Sequence, residues 1–436
     1  MNETLHRKQK SRLNREEKSW IAYDWANSAH SAIISAMILP VFYKSITNGI
    51  LEPYLANAYW GYATSAATAV IALLAPLLGT LGDYRGNKMK FFRRFFLLGA
   101  ISTAAIAFVH GWQGLLAAYM ITMIGFSGAN LYYDAFLVDV TSNERMDKVS
   151  TYGYALGYVG GGTIPLIISV FFIFYGENLF GIPAEISTRG AFLLAALWWG
   201  IFTVPMLKNV RQVYWMEPVK HPVRTSVKRL AGTFRNIRNY RELFLFLLAY
   251  LFYIDGVNTI IHIATIYGES MGFGTRTVLI ILMGTQALAF PCAILYGKLA
   301  ERFGSRTMLL AGISIYSMVC ILSFVMALDF LGMQTRILLF WIIGFLVSTS
   351  QGGIQAISRS YFGKMVPKPE ANEFFGFYNI VGKFAALTGP ALFGFFGHIT
   401  GRSEYGILSI LLLFAAGGVL FILSSRKEPP EKQFIP

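Results

Sequence analysis

The sequence predicts an all-α, polytopic membrane protein with twelve transmembrane helices arranged as two six-helix halves. Hydrophobic residues make up 55% of the 436 residues, the mean hydropathy is +0.51, and only 14% of the residues are charged. This balance is unlike that of a soluble domain. The apolar residues gather in twelve segments long enough to cross a bilayer, and a long basic loop divides these segments into two sets of six.

The twelve segments can be placed in order along the chain. At about 1.5 Å per helical residue, roughly 20 residues cross a hydrocarbon core about 30 Å thick. The fifth and eleventh segments are rich in glycine. The predicted segments are residues 20–44, 57–81, 92–110, 113–138, 149–175, 189–207, 242–267, 276–299, 307–328, 336–361, 373–398 and 405–424.

The distribution of Lys and Arg predicts the orientation. With these boundaries, 31 of these cations fall on the side of the chain ends and five on the opposite side. Because Lys and Arg accumulate in short cytoplasmic loops, both termini are expected to be cytoplasmic. The net charge of +14 is then a consequence of topology, so we do not infer nucleic-acid binding. The predicted domains are an N-terminal tail (1–19), a first six-helix half (20–207), a basic cytoplasmic linker (208–241), a second six-helix half (242–424) and a C-terminal tail (425–436).

The linker contains two basic stretches with interspersed apolar residues. They read K-N-V-R-Q-V-Y-W from Lys208 and V-K-R-L-A-G-T-F-R-N-I-R from Val227. Such patterns are typical of an amphipathic helix that lies on anionic lipid. The alternative is a solvated linker that only satisfies the topology.

The first apolar segment carries polar side chains that lipid alone would exclude. At helical spacing, several of these side chains share one face. A charge at the bilayer centre costs at least about 2.5 kcal/mol, so such residues usually face a bundle interior or a water-filled cavity. We expect this face to line a pathway; the alternative is that the carboxylate lies near the membrane surface and anchors the helix. The polar residues of the segment are Asp24, Asn27, Ser28, His30 and Ser31.

Two sequence patterns recur between the halves, as expected for a transporter built from parallel repeats. The loop after the second segment reads G-T-L-G-D-Y-R-G-N-K-M (79–89), and the loop after the eighth reads G-K-L-A-E-R-F-G-S-R-T-M (297–308). Both place Gly, Leu, an acid, Gly and a cation at positions one, three, five, eight and ten. A weaker match pairs D-W-A-N-S from Asp24 with D-G-V-N-T from Asp255.

These patterns resemble a known family. The 79–89 loop resembles the signature loop of the major facilitator superfamily, and the twelve segments with a basic central loop are similar to that superfamily throughout. Y-D-W-A-N-S-A from Tyr23, Q-G-G-I-Q-A-I-S-R-S from Gln351 and E-F-F-G-F-Y from Glu373 look like its vacuolar effluxer-like branch. The resemblance implies the major facilitator fold. Fungal members of the branch resemble amino-acid exporters of the vacuole, and its bacterial members mostly have no assigned substrate.

We expect the repeated loop to form a cytoplasmic gate. Its acids, Asp83 and Glu301, can pair with cations and with positive helix N-termini. The superfamily usually has Arg directly after the first acid; here Tyr84 stands at that place, while Arg302 keeps it in the second copy. The alternative is that these residues only fix the loop conformation. The assigned gate residues are Asp83, Arg85, Lys88, Glu301, Arg302, Arg306 and Arg359.

A central substrate and ion site is expected near mid-membrane. An amino-acid-like zwitterion needs an acid for its ammonium group and a cation or amide for its carboxylate. Lys383 with Gln351 and Gln355 suits the carboxylate, and Asp24 or Asp255 suits the ammonium and proton coupling. Alternatively, Lys383 neutralises an internal carboxylate. In the same way, His30 and His262 are then packed interior residues. The candidates are Asp24, Asn27, His30, Asn130, Asp134, Asp255, Asn258, His262, Gln351, Gln355 and Lys383.

Together these patterns favour a secondary transporter that exports amino acids or related small solutes by alternating access. No Walker-type or H-E-x-x-H string occurs, so an enzyme and a cofactor are not expected, and Cys292 and Cys320 have no metal or redox spacing. The expected partners are the solute, protons and membrane lipid, with the chain acting as a monomer in a bacterial-type inner (plasma) membrane. The alternatives are a lipid or glycolipid flippase, or a non-transporting sensor on a carrier fold.

Overall fold

The computed structural model describes residues 12–235, 237–328, 330–385 and 387–424. Eleven helices within these ranges are long and apolar enough to cross a membrane. A twelfth helix, Asn87–Ile106, follows the second of these eleven helices in the chain. Four of its first eight residues are cations. Secondary structure in the described ranges is helical, apart from one β-bridge between Tyr84 and Met216. The prediction of an all-α protein with twelve transmembrane helices is confirmed.

The first set of six spans begins at a capping box. The side chain of Asn14 accepts a hydrogen bond from the N–H of Glu17, and the Glu17 side chain accepts one from the N–H of Asn14. The helix therefore starts at Arg15 rather than at Trp20. The elements are α1 (Arg15–His30), a π-helical segment (Ser31–Ala36), α2 (Ile38–Thr47), α3 (Pro53–Gly82), α4 (Asn87–Ile106), α5 (Trp112–Ala135), α6 (Leu137–Val140), α7 (Met146–Leu156), a second π-helical segment (Gly157–Thr163), α8 (Ile164–Phe180) and α9 (Ala184–Asn209).

The second set of six spans follows the linker. Its eleventh span is interrupted, because α15 ends at Phe384 and α16 begins at Thr388. The elements are the linker helix α10 (Pro222–Arg235), a 3-10 turn (Ile237–Tyr240), α11 (Arg241–Ser270), α12 (Thr275–Phe303), α13 (Ser305–Met326), α14 (Met333–Met365), a 3-10 turn (Lys368–Glu370), α15 (Ala371–Phe384), α16 (Thr388–Thr400) and α17 (Ser403–Ser424).

The contacts divide the chain into two compact units. The first comprises residues up to Val70 together with Arg85–Trp215, and the second comprises Ile71–Tyr84 together with the residues from Met216 onwards. The end of α3 and the loop residue Asp83 therefore belong to the unit that contains the second set of spans. Residues 1–11 of the predicted N-terminal tail and the whole predicted C-terminal tail (425–436) lie outside the described residues.

The two basic stretches of the linker differ from each other. The first, from Lys208, leaves α9 at Asn209 and continues without a helix, so the prediction of an amphipathic helix is wrong there. Its backbone hydrogen-bonds to a side chain instead of to a helical turn: the N–H groups of Val213 and Tyr214 donate to Asp139 Oδ1 over 2.8 and 2.9 Å. The second stretch lies largely in α10, which is helical as expected.

Candidate functional site

The break in the eleventh span is held by the D-G-V-N motif of α11. Breaking a membrane helix frees backbone N–H and C=O groups, which lipid cannot satisfy. The Asp255 carboxylate accepts the N–H groups of Thr388 and Gly389, each over 3.0 Å. Asn258 Nδ2 donates to the carbonyl of Ala385 over 3.3 Å. The motif therefore binds both sides of the break: Asn258 binds the side that precedes it, and Asp255, which is only 1% exposed, binds the side that follows it.

A glycine permits this close approach. A Cβ atom at Gly389 would lie 2.0 Å from Thr259 Oγ1 and 2.9 Å from Asp255 Oδ1, which is closer than side chains pack. The glycine at position 389 thus has a structural reason. Glycine lets the N-terminus of α16 reach the carboxylate, and a carboxylate at a helix N-terminus is favoured by the helix dipole.

The related motif on α1 contacts the irregular segment of the fifth span in the first unit. A Cβ atom at Gly160 would lie 1.8 Å from the ring of Trp25, and one at Gly161 would lie 2.4 Å from the Trp25 carbonyl oxygen. Asn27 Nδ2 donates to Asn130 Oδ1 of α5 over 2.8 Å. In each unit, therefore, the D-x-x-N motif of the first span lies against an irregular part of the fifth span of the same set, which is a π-helical segment in the first unit and a break between two helices in the second.

Replacing Gly160 by Ala is expected to lower the stability of the protein by about 1–3 kcal/mol, because the added methyl group overpacks a contact with Trp25. The matched control is Gly162→Ala in the same π-helical segment, where the nearest atom to a new Cβ is 3.5 Å away. Thermal unfolding in detergent measures both variants. Equal midpoints for the two variants would contradict this packing argument.

The other polar candidates of the first unit differ in how far they are buried in the protein. Asp24 is 8% exposed, and Asp134 on α5 is half-buried. His30 is fully buried; its Nε2 lies 3.0 Å from Thr122 Oγ1, and its ring stacks on Phe126 with centroids 4.4 Å apart. These surroundings match the packed interior histidine of the alternative interpretation.

The candidates on α14 form a short polar row. Gln351 is 4% exposed and donates from Nε2 to Gln286 Oε1 on α12 over 3.2 Å, and Gln355 Nε2 donates to the Gln351 carbonyl over 3.3 Å. Arg359, which the sequence assigned to the gate, lies one turn after Gln355 on the same helix and is 3% exposed. The partner Gln286 was missed, because a lone glutamine in an apolar stretch gives no motif.

Two further candidates of the second set stand apart from this row. Lys383 is half-buried in the last turn of α15, directly before the break. His262 is exposed, although residues seven apart lie on the same side of a helix and Asp255, seven residues earlier, is buried.

The loop acid Asp83 is the centre of a buried polar cluster in the second unit. Arg229 of α10 lies 3.0 Å from Asp83 Oδ2 and 2.8 Å from Glu373 Oε2. Asp83 Oδ1 accepts the backbone N–H and the side-chain amide of Asn372 over 2.9 and 3.0 Å. Thr233 completes the cluster by donating to Glu373 Oε1 over 2.6 Å. We call these five residues the Asp83 cluster.

Charge and close packing both characterise the cluster. Asp83 is fully buried and Glu373 is 1% exposed. Burial opposes the charge on Arg229, but the carboxylates of Asp83 and Glu373 outweigh it and raise the pKa of the guanidinium above its ordinary value. At Gly79 a Cβ atom would lie 2.3 Å from the Asn372 carbonyl oxygen, so glycine is required for the end of α3 to reach this position.

The remaining predicted gate residues lie in other environments. Lys88 forms a fully buried ion pair with Asp139 over 2.6 Å inside the first unit, and the exposed Arg85 lies over the Trp215 ring. In the second copy of the loop, Glu301, Arg302 and Arg306 are all exposed, and Glu301 forms no ion pair with the described residues. Equal sequence patterns therefore do not give equal surroundings. No His, Cys, Asp or Glu group suited to a metal ion occurs among the described residues.

Comparison with known proteins agrees with this architecture. The family model described as "Vacuole effluxer Atg22 like" matches residues 54–431. The chain is 49% identical over 417 residues, 94% of each chain, to an uncharacterized MFS-type transporter, YxiO, of Bacillus subtilis. It is 23% identical over 294 residues to autophagy-related protein 22-1 of Emericella nidulans, covering 61% of this chain and 47% of that relative. The chain thus matches about half the length of this fungal relative.

Solved structures show the same fold. The Escherichia coli fucose:proton symporter FucP superposes with a TM-score of 0.66 at 13% identity, over 95% of this chain and 98% of FucP. The human organic anion transporter MFSD10 superposes with a TM-score of 0.68 at 13% identity, over 93% of this chain and 99% of that one. The chain therefore has the major facilitator fold, and it belongs to the Atg22-like vacuole effluxer family as a multi-pass membrane transporter of the major facilitator type.

Proposed function

We propose that the protein is a secondary active transporter that exports amino acids or related small zwitterionic solutes by alternating access, coupled to protons. The observation that carries the proposal is the interrupted eleventh span, whose break is bound by the buried Asp255 and by Asn258. Broken helices with free backbone groups near mid-membrane are typical of substrate and ion sites in transporters. The family description as an effluxer supports export.

Asp255 suits proton coupling for a chemical reason. As a carboxylate it accepts two N–H groups at the N-terminus of α16. A protonated carboxyl group loses its charge and with it most of this attraction, because hydrogen bonds to an ionised acceptor are about twice as strong as neutral ones. Proton arrival at Asp255 would thus loosen the break, and proton loss would restore it.

We propose that the solute contacts the polar residues predicted from the sequence. Asp24 or Asp255 would take the ammonium group, while Lys383 with Gln351 and Gln355 would take the carboxylate. The fungal branch that the sequence resembles supports amino acids as the solute class. The remaining proposed site residues are Asn27, His30, Asn130, Asp134, Asn258 and His262.

We propose that the Asp83 cluster is the cytoplasmic gate. Its residues come from the loop after the second span, from the linker helix and from the start of the eleventh span. It therefore joins segments that are far apart in the chain through two carboxylates and one guanidinium. The excess of Lys and Arg supports a cytoplasmic position for this end, with both termini on the same side of a bacterial-type plasma membrane.

Counterflow in proteoliposomes tests the proposed transport. We expect accumulation of one or more amino acids from a labelled panel, increased by an imposed pH gradient. A Lys383→Met variant is expected to keep its fold and to lose at least about tenfold in transport of zwitterions, because the carboxylate loses its cation. No transport of any amino acid or dipeptide by folded protein would contradict the proposal and would favour the lipid-flippase alternative.

A further inference from the structure

The linker helix α10 has two faces of different composition. Its inward face contains Ser226, Arg229 and Thr233, at helical spacing, and this face carries Arg229 into the Asp83 cluster. Ser226 is fully buried and Thr233 is 8% exposed. Arg229 and Thr233 therefore attach this face of the helix to the Asp83 cluster through polar contacts.

The outward face of α10 is both basic and apolar. Val223 and Val227 are 55% and 52% exposed, and they lie one turn apart. The exposed cations Arg224, Lys228 and Arg235 follow them around the same side. No acid occurs between residues 218 and 241, so the charge of this face is not neutralised by neighbours in the sequence.

We propose that the outward face of α10 binds anionic phospholipid headgroups of the adjoining leaflet, and that this contact keeps Arg229 in the Asp83 cluster. Two features favour lipid as the partner. Exposed valines beside cations match an interfacial helix, which inserts its apolar side while its basic side contacts headgroups. The chain also enters a membrane span at Arg241, shortly after α10 ends, so the leaflet is close by in the sequence.

The magnitude of the attraction is sufficient for regulation. Each Lys or Arg near an anionic surface favours binding by about fivefold, so the three outward cations together favour it by roughly a hundredfold. Because Arg229 is on the same helix, lipid binding on one side holds the other side against Asp83 and Glu373. The membrane contact does not depend on transport; its effect on transport rests on the proposed gate.

Two single-cysteine variants test the proposal without any substrate, in a background with Cys292→Ala and Cys320→Ala. Val227→Cys carries an environment-sensitive fluorophore, and Ser226→Cys reports opening of the inward face through its rate of thiol modification. Each is reconstituted in phosphatidylcholine vesicles with or without about 30% phosphatidylglycerol. We expect anionic lipid to blue-shift the fluorophore and to slow Ser226→Cys modification by at least about tenfold. Raising the salt from about 0.15 M to about 1 M should reduce both effects.

Charge-matched variants identify the surface. R224Q/K228Q/R235Q should abolish both lipid effects, whereas K90Q/R93Q/R94Q, which removes three exposed cations from α4, should leave them unchanged. Arg229→Gln should speed Ser226→Cys modification in both kinds of vesicle, since it breaks the inward attachment. A fluorophore equally exposed to water in both vesicles, or equal effects of the two triple variants, would overturn the proposal whether or not the protein transports amino acids.

Discussion

Replacing Asp255 by Ala is expected to lower the free energy of unfolding by about 2–4 kcal/mol and to abolish transport. The side chain is 1% exposed, and its oxygens accept the N–H groups of Thr388 and Gly389 over 3.0 Å. Without it, two N–H groups at the break of the eleventh span have no acceptor, and each buried unsatisfied group costs about 1–3 kcal/mol. Thermal unfolding in detergent measures the loss.

Two further variants separate the structural role of Asp255 from its proposed role in coupling. Asp255→Asn keeps one carbonyl acceptor at the break but cannot exchange a proton, so we expect a smaller loss of stability and transport that no longer responds to a pH gradient. Thr259→Val is the matched control, because Thr259 Oγ1 makes only a long 3.4 Å contact with Asp255 Oδ1. It should retain near-normal stability and coupling. Gradient-driven transport that persists in Asp255→Asn would exclude this carboxylate as the proton carrier.

The number and order of the transmembrane helices could be predicted because each span has a strong local signal. About 20 apolar residues with a basic loop at one end predict a membrane helix with no knowledge of its neighbours. The breaks are harder to predict. The fifth and eleventh spans are rich in glycine, but the position of the break between α15 and α16 depends on Asp255 and Asn258, which lie about 130 residues earlier.

The candidate site was predicted only in part for the same reason. Repeated motifs directed attention to Asp83, Asp255 and Asn258, and all three make specific contacts at their positions. Arg229 was counted among the linker cations, and nothing in its local sequence separates it from Lys228. Its role follows from packing against Asp83 and Glu373, which is a tertiary contact.

The two copies of the repeated loop show how much of a residue's surroundings a sequence repeat can predict. Asp83 is fully buried and bound by Arg229 and Asn372, whereas its counterpart Glu301 is exposed and has no ion pair with the described residues. A shared pattern of glycine and charge indicates a shared turn. It does not fix the partners, because these are supplied by segments outside the repeat.

Removing the carboxylate at position 83 is expected to have a large effect that its counterpart at position 301 does not share. Asp83→Asn retains the size of the side chain but removes the charge that faces Arg229, so we expect the free energy of unfolding to fall by about 3–5 kcal/mol, as when one partner of a buried ion pair is removed. Transport should fall at least about tenfold at equal expression. Glu301→Gln, at the matching position of the second loop, should change both quantities little.

A double-mutant cycle tests whether this effect passes through the ion pair. In an Arg229→Gln background, Asp83→Asn should cost much less than in the wild type, because the attraction it removes is already gone. Glu373 shares the guanidinium over 2.8 Å, so Glu373→Gln should show the same coupling to Arg229→Gln. Additive losses would mean that Asp83 acts only through its two hydrogen bonds from Asn372, and the cluster would then be a helix cap on α15 rather than a gate closed by Arg229.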